Sequence, residues 1–216
     1  MKRLGLLLIG LTMVILLKGQ TIKVQGGVSI SELDYLIKGN FPSVSIYDEK
    51  LISYSLFAGL DYLDKQYFNL SSNIGMIRKG GKDEFLITDE YGQSTGLTSI
   101  EKPTLDYLSM NTLFELKYRI KDAVAPFISI GPRFDYLVKS NEHFEDLKDL
   151  DELKSISLGL LLGGGVKYDI QNLQFGLRAD YYLNFVKVAD WNTEFTSRIV
   201  NVSTLAINLM IGYRLQ

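Results

Sequence analysis

The stretch that decides the fold is Ser203-Thr204-Leu205-Ala206-Ile207-Asn208-Leu209-Met210-Ile211-Gly212-Tyr213-Arg214-Leu215. One parity carries Leu205, Ile207, Leu209, Ile211, Tyr213 and Leu215, and the other carries Thr204, Ala206, Asn208, Met210, Gly212 and Arg214. A β-strand sends successive side chains to opposite faces, so this segment has one apolar face and one small or polar face. It is longer than the usual strand of a soluble sheet and matches the roughly 9–11 residues of a tilted strand that crosses a bilayer.

Working outward, the same alternation recurs and predicts eight strands: Ile22–Ser31, Ile52–Leu63, Tyr67–Lys79, Asp106–Arg119, Ala125–Val138, Ser155–Tyr168, Leu173–Phe185 and Ser203–Leu215. The gaps between them rotate between short and long. Asp64-Lys65-Gln66, Ile120 to Val124 and Asp169 to Asn172 are short, whereas 32–51, 80–105, 139–154 and 186–202 are long. Short turns on one side and long loops on the other are the rhythm of outer-membrane barrels, the short turns being periplasmic. No cysteine is present, which excludes a disulfide scaffold and a lipid-modified lipoprotein.

The N-terminus supports export. Lys2 and Arg3 precede an almost wholly apolar run from Leu4 to Leu17, the pattern of a secretory signal and too short to span a bilayer as a helix. Residues 1–19 are therefore expected to be a removed signal peptide, and residues 20–216 a single outer-membrane β-barrel domain. A net charge of −2 argues against nucleic acid, which selects basic faces.

Alternation alone does not say which face points inward. Three features assign the apolar parity to lipid. Glycines crowd the other parity, among them Gly27, Gly59, Gly131, Gly163 and Gly165, and make room in a narrow eight-strand lumen. The same parity carries large charged groups. Aromatic residues on the apolar parity (Tyr62, Phe68, Tyr118, Tyr168, Phe175 and Tyr213) gather near the short turns, at headgroup depth. A second ring is expected from Tyr54, Phe134, Tyr136 and Phe185. Hydrocarbon excludes an open sheet edge, so the predicted fold is all-β: an eight-stranded antiparallel up-and-down transmembrane β-barrel in the bacterial outer membrane.

The runs Gly59-Leu60-Asp61-Tyr62, Phe127-Ile128-Ser129-Ile130-Gly131-Pro132, Gly163-Gly164-Gly165-Val166-Lys167-Tyr168 and Ile211-Gly212-Tyr213-Arg214-Leu215 resemble the PorT-like outer-membrane β-barrel family. The resemblance covers nearly the whole chain after residue 19 in strand order and loop rhythm. It implies the barrel fold and, through the family's namesake, a component of a gliding and protease-secretion system. No residue of this chain carries that role over.

The chemistry-bearing residues give few sites. His143 is the single histidine and lies in Glu142-His143-Phe144-Glu145-Asp146, where it reads as a solvated loop residue rather than a metal ligand or a base. Six carboxylates between Lys139 and Lys154 would suit Ca²⁺ or divalent bridging to lipopolysaccharide. Leu147, Leu150 and Leu153, three apart, equally fit a short amphipathic helix with a wet acidic face. The glycine-rich runs Gly163-Gly164-Gly165 and Arg78-Lys79-Gly80-Gly81-Lys82 lack the strand–loop–helix setting of phosphate loops. Trp191 reads as an outer-leaflet anchor or a partner contact.

What remains is the inward parity. A lumen-facing polar network is expected from Asp61, Glu115, Lys117, Arg133, Asp135, Lys167, Arg178, Asp180, Asn208 and Arg214. Unpaired charges there would be costly, so Arg133 with Asp135, Arg178 with Asp180 and Glu115 with Lys117 are expected to pair and plug the barrel. The function these features support is a structural or interaction barrel, not an enzyme, with four long extracellular loops. No catalytic residue, cofactor or metal is expected. The expected partners are outer-membrane lipid and lipopolysaccharide, and proteins met through the loops. A secretion-apparatus component and a narrow pore are the alternatives.

Overall fold

The computed structural model describes residues 20–39, 42–47, 49–120, 123–192 and 196–215. The expected signal peptide, residues 1–19, lies outside them. Twelve strands occur among the described residues: β1 (Thr21–Gly39), β2 (Val44–Ile46), β3 (Leu51–Asp64), β4 (Phe68–Gly80), β5 (Asp83–Thr88), β6 (Ser94–Glu101), β7 (Thr104–Lys117), β8 (Val124–Ser140), β9 (Ile156–Ile170), β10 (Leu173–Asn184), β11 (Ala189–Asn192) and β12 (Thr196–Arg214). Eight of them, β1, β3, β4, β7, β8, β9, β10 and β12, pair antiparallel in chain order. β12 returns to β1 and closes the barrel, so every wall strand has two neighbours and no edge faces lipid.

Side-chain parity holds along each wall strand. In β12, Leu205, Ile207, Leu209, Ile211 and Tyr213 are exposed while Thr204, Ala206, Asn208 and Met210 are buried. Ile128, Ile130, Leu158, Leu162 and Leu177 on neighbouring strands share the outer face. Exposure of so many aliphatic side chains is tolerable only against hydrocarbon. Tyr118, Tyr168, Phe175 and Tyr213 stand on that face near the short turns, and Tyr54, Tyr136 and Phe185 stand on it near the long loops.

The ends depart from the expected boundaries. β1 runs eight residues beyond Ser31, and β12 begins seven before Ser203, because the two continue to pair as far as Gly39 opposite Thr196. β2 adds to β1 and β11 adds to β12, so the described strands of the segments expected as loops at 32–51 and 186–202 form a four-stranded wall above the barrel. Mutual pairing satisfies backbone groups that a loop would leave to water. The segment 80–105 contains β5 and β6, which form a separate two-stranded sheet. The segment 139–154 holds a 3₁₀ turn, Glu142–Phe144, continued by a short helix, α1 (Glu145–Asp149).

One seam in the wall is imperfect. The β7–β8 ladder pairs Asn111 with Arg133 and then Phe114 with Ile130, skipping Thr112 opposite Pro132 and Leu113 opposite Gly131. Tyr118 N–H donates to Pro126 O at 3.0 Å, so alternate pairs from there, Thr112–Pro132 among them, are the hydrogen-bonding ones. Pro132 has no N–H, and the Thr112 carbonyl lacks its ladder donor at mid-wall. That carbonyl approaches Gly131 so closely that a Cβ there would lie 1.9 Å from it, which only glycine allows.

Candidate functional site

The site is the lumen, with a charged lower tier at two levels, an apolar upper tier and a rim at the short turns. Counting buried lumen charges, Lys23, Lys79, Lys117, Arg133, Lys167 and Arg178 are six cations against the four carboxylates Asp61, Glu115, Asp135 and Asp180. Lys117 is met by Asp64 at the mouth, and sharing and the faces of buried rings make up the rest.

In the tier toward the short turns, Lys23 donates to Asp61 at 2.5 Å and Lys167 reaches Asp61 at 3.4 Å and Glu115 at 2.5 Å. Arg178 grips Asp180 with Nε and a terminal nitrogen, both at 2.7 Å, and reaches Glu115 at 3.3 Å. Glu115 also accepts from Asn69 at 2.8 Å. Phe127 lies beneath Lys167 and Arg178, with 5.1 and 5.7 Å from each cation to the ring centroid. Asn208 accepts from Ser55 at 2.6 Å. Gly163 leaves room for this lattice, since a Cβ there would lie 2.1 Å from an Asp180 carboxylate oxygen.

At the periplasmic mouth, Lys117 pairs with Asp64, and Arg214 bridges Asp64 at 3.3 Å and Asp169 at 3.2 Å. Arg119 lies 3.6 and 3.7 Å from the same two carboxylates. This rim ties the ends of β3, β7 and β9 to the end of β12. Arg214 is thus a partly exposed rim residue and not a group of the closed lumen. The expected Glu115–Lys117 pair does not form: Lys117 points at the mouth and is taken by Asp64, while Glu115 is met from across the barrel by Lys167 and Arg178.

Nearer the extracellular end, Asp135 accepts from Lys79 at 2.6 Å and from Arg133, which also reaches Asn184. Lys79 sits over Tyr107 and Tyr182 at 5.0 and 4.8 Å, and Arg133 over Tyr182 at 4.8 Å. Lys23, Lys79, Asp64 and Asp169 were not among the expected network residues. Lys23 and Lys79 are nevertheless on the inward parity of β1 and β4, next to Gln25 and Ile77, and that parity was the signal for them. Nothing in the sequence marked the two aspartates at the strand ends, Asp64 and Asp169.

Above this level the inward face ceases to be polar, contrary to the expectation of a uniformly polar lumen. Leu33, Leu105, Val200 and Val202 point inward, and the segment after β8 lays Phe144 and Leu147 onto them, both fully buried. Leu153 and Ala189 bridge beside them, completing an apolar core at the extracellular end of the lumen. Of the three leucines expected on one helix face, Leu147 and Leu153 are buried and Leu150 is exposed, because α1 ends at Asp149. Among the described residues no three His, Asp or Glu side chains converge as metal ligands.

His143 is not a solvated loop residue. Its Nε2 lies 3.3 Å from Glu101, its Nδ1 3.0 Å from Asn141, and its ring is edge-on to Tyr47 at 5.9 Å. Tyr47 donates to Glu101 at 2.9 Å. Burial, reinforced by that bond, raises the Tyr47 pKa above the ordinary tyrosine value. One carboxylate thereby joins three extracellular segments. Trp191 stacks against Arg198, 5.2 Å from ring to guanidinium.

Comparison with known proteins agrees with this architecture. The chain is similar to the outer membrane protein OprG from Pseudomonas aeruginosa, with 13% identity, a TM-score of 0.54, and coverage of 92% of this chain and 97% of that one. Neisserial surface protein A aligns with 12% identity over 92% of this chain and 100% of that chain, with a TM-score of 0.46. The Yersinia pestis outer membrane protein Ail in a phospholipid nanodisc aligns with 14% identity over 92% and 100%, with a TM-score of 0.44. No curated protein matches the chain in sequence. The family model described as outer membrane protein beta-barrel domain matches residues 20–190. The chain belongs to the outer membrane protein beta-barrel domain family and is a small β-barrel of the bacterial outer membrane.

Proposed function

We propose that the protein is a non-conducting, non-enzymatic outer-membrane scaffold that offers its extracellular segments to partners. The observation that carries this reading is the filled lumen. Ion pairs and ring faces occupy the lower tier, and the void between them, lined by Gln25, Phe57, Asn111, Leu113, Arg178 and Tyr182 among others, is about 10 Å³. That is room for about one water molecule. Phe144 and Leu147 shut the extracellular mouth, so an ion would have to displace a dry core and then break a charge lattice. A conducting pore needs neither obstacle. Lipid meets the apolar outer face, and lipopolysaccharide and proteins are the partners expected at the extracellular end.

Planar-bilayer recording tests the reading: the purified barrel should give no steady channel, and large reproducible steps would sink it. The PorT-like runs favour one second reading, a component of a secretion apparatus. Stoichiometric co-purification of periplasmic or outer-membrane partners in mild detergent would support that role, and a lone barrel would reject it.

A further inference from the structure

The hairpin of β5 and β6 is the part of the molecule that neither the barrel wall nor the sealed mouth uses. Its base is anchored. The Phe85 ring meets Tyr47 edge-on at 6.1 Å, Asp83 accepts the Tyr47 N–H at 3.1 Å, and Glu49 and Lys82 exchange two backbone hydrogen bonds of 3.0 Å. Beyond that base it stands free as its own two-stranded sheet. Leu86 is 65% exposed, Leu97 63% and Tyr91 82%, with Ile87 and Ile100 also exposed. These residues lie outside the bilayer, where water gives no compensation for apolar exposure. A lone two-stranded hairpin is marginal in water, and a third strand is the ordinary way to complete one.

The two edges are not equivalent. β6 is irregular where Gly96, at φ 75°, lies opposite the register shift between Leu86 and Thr88, and such bulges spoil an edge for pairing. β5 is the regular edge. Charge then narrows the occupant. From Asp83 through Glu101 there are five carboxylates and no lysine, arginine or histidine. Two such hairpins would repel each other, which argues against a second copy of this chain. A cationic strand would be attracted.

We propose that the β5 edge of this hairpin docks an extended cationic polypeptide of another protein. That segment adds as a third strand beside β5, with lysine or arginine on the face of Glu84 and near Glu90 and its apolar side chains on the opposite face, beside Ile87. The proposal deepens the scaffold reading and rests on it.

The test uses the full-length barrel in nanodiscs of zwitterionic lipid and a fluorescein-labelled ten-residue peptide alternating lysine and valine, read by anisotropy. Saturable micromolar binding is expected. It should weaken at least tenfold when alternate peptide nitrogens are methylated, which abolishes strand pairing but keeps the charge. It should weaken about tenfold in a Glu84→Gln, Glu90→Gln double variant. Replacing residues 83–101 with a Gly-Ser linker should abolish binding, the barrel's integrity being checked by its heat-modifiable mobility.

Equal binding of the methylated peptide, equal binding of a glutamate–valine peptide, or undiminished binding to the linker variant would each overturn the proposal. Hairpin-dependent self-association seen by sedimentation would do so too, by naming a second copy as the occupant. Absence of peptide binding in a barrel that stays silent in bilayers would reject the docking edge alone, whereas large channel steps would reject the scaffold reading whatever the peptide does.

Discussion

Around Glu115 and Arg178 the lumen is a lattice of shared ion pairs, whereas around Leu33 and Val202 it is a dry apolar core, although the same inward parity lines both. Narrow width dictates that both be filled, but not with what. The lower tier is filled from within: every charge belongs to a wall strand, a turn or the end of β12. Each must find its partner there, because a buried charge without one costs more than the pair returns. The upper tier is filled from outside. Phe144 and Leu147 arrive on a segment that leaves the wall and folds back, and apolar burial is the natural adhesive for such a lid because it demands no exact partner geometry. Polar filling therefore ties wall strand to wall strand, and apolar filling ties the returning segment to the wall.

The strongest way to break this comparison is Arg178→Ala. It strands Asp180 and removes one of two cations from Glu115, so a loss of about 3–5 kcal/mol is expected in urea titration of the barrel in liposomes. A loss below about 1 kcal/mol would show that the lower tier is hydrated and not a lattice.

Next comes the wall itself. Leu209→Arg, on an exposed outward position near mid-wall, should cost about 2–4 kcal/mol in the same assay. Ser94→Arg at the hairpin should change stability by less than about 0.5 kcal/mol. Equal costs at the two positions would contradict the assignment of the outer face to lipid.

The apolar tier is sharpened by Leu147→Ala. A cost of about 2–3 kcal/mol is expected, confined to the lid. Limited proteolysis should cut residues 139–154 faster while the barrel keeps its heat-modifiable mobility. Loss of the barrel together with the lid would mean that the two tiers are one cooperative unit.

The smallest effect concerns the seam. Pro132→Val supplies an N–H opposite Thr112 and should stabilise the barrel by about 0.5–1.5 kcal/mol. A destabilising result would mean that the seam is held apart by packing and not by the missing donor.

Strand number, facing and loop rhythm were legible in the sequence because alternation is a local property: each residue's face follows from its neighbour's. The signal in Thr204 to Leu215 needs no knowledge of the rest of the chain. Lys23 and Lys79 were legible on the same grounds, standing on the inward parity with Gln25 and Ile77. Charge partners were not. Asp61 meets Lys23 from 38 residues away and Lys167 from 106, and Glu115 meets Arg178 from 63. Closing the sheet with its particular stagger brings those residues to one height, and stagger is a property of the whole wall. The extension of β1 and β12 to Gly39 and Thr196 likewise depends on the two chain ends of the barrel meeting each other. The packing of Phe144 and Leu147 against Leu33 and Val202 was settled only in three dimensions, because a short apolar pattern in a loop folds inward only where an apolar rim of the right width lies beneath it.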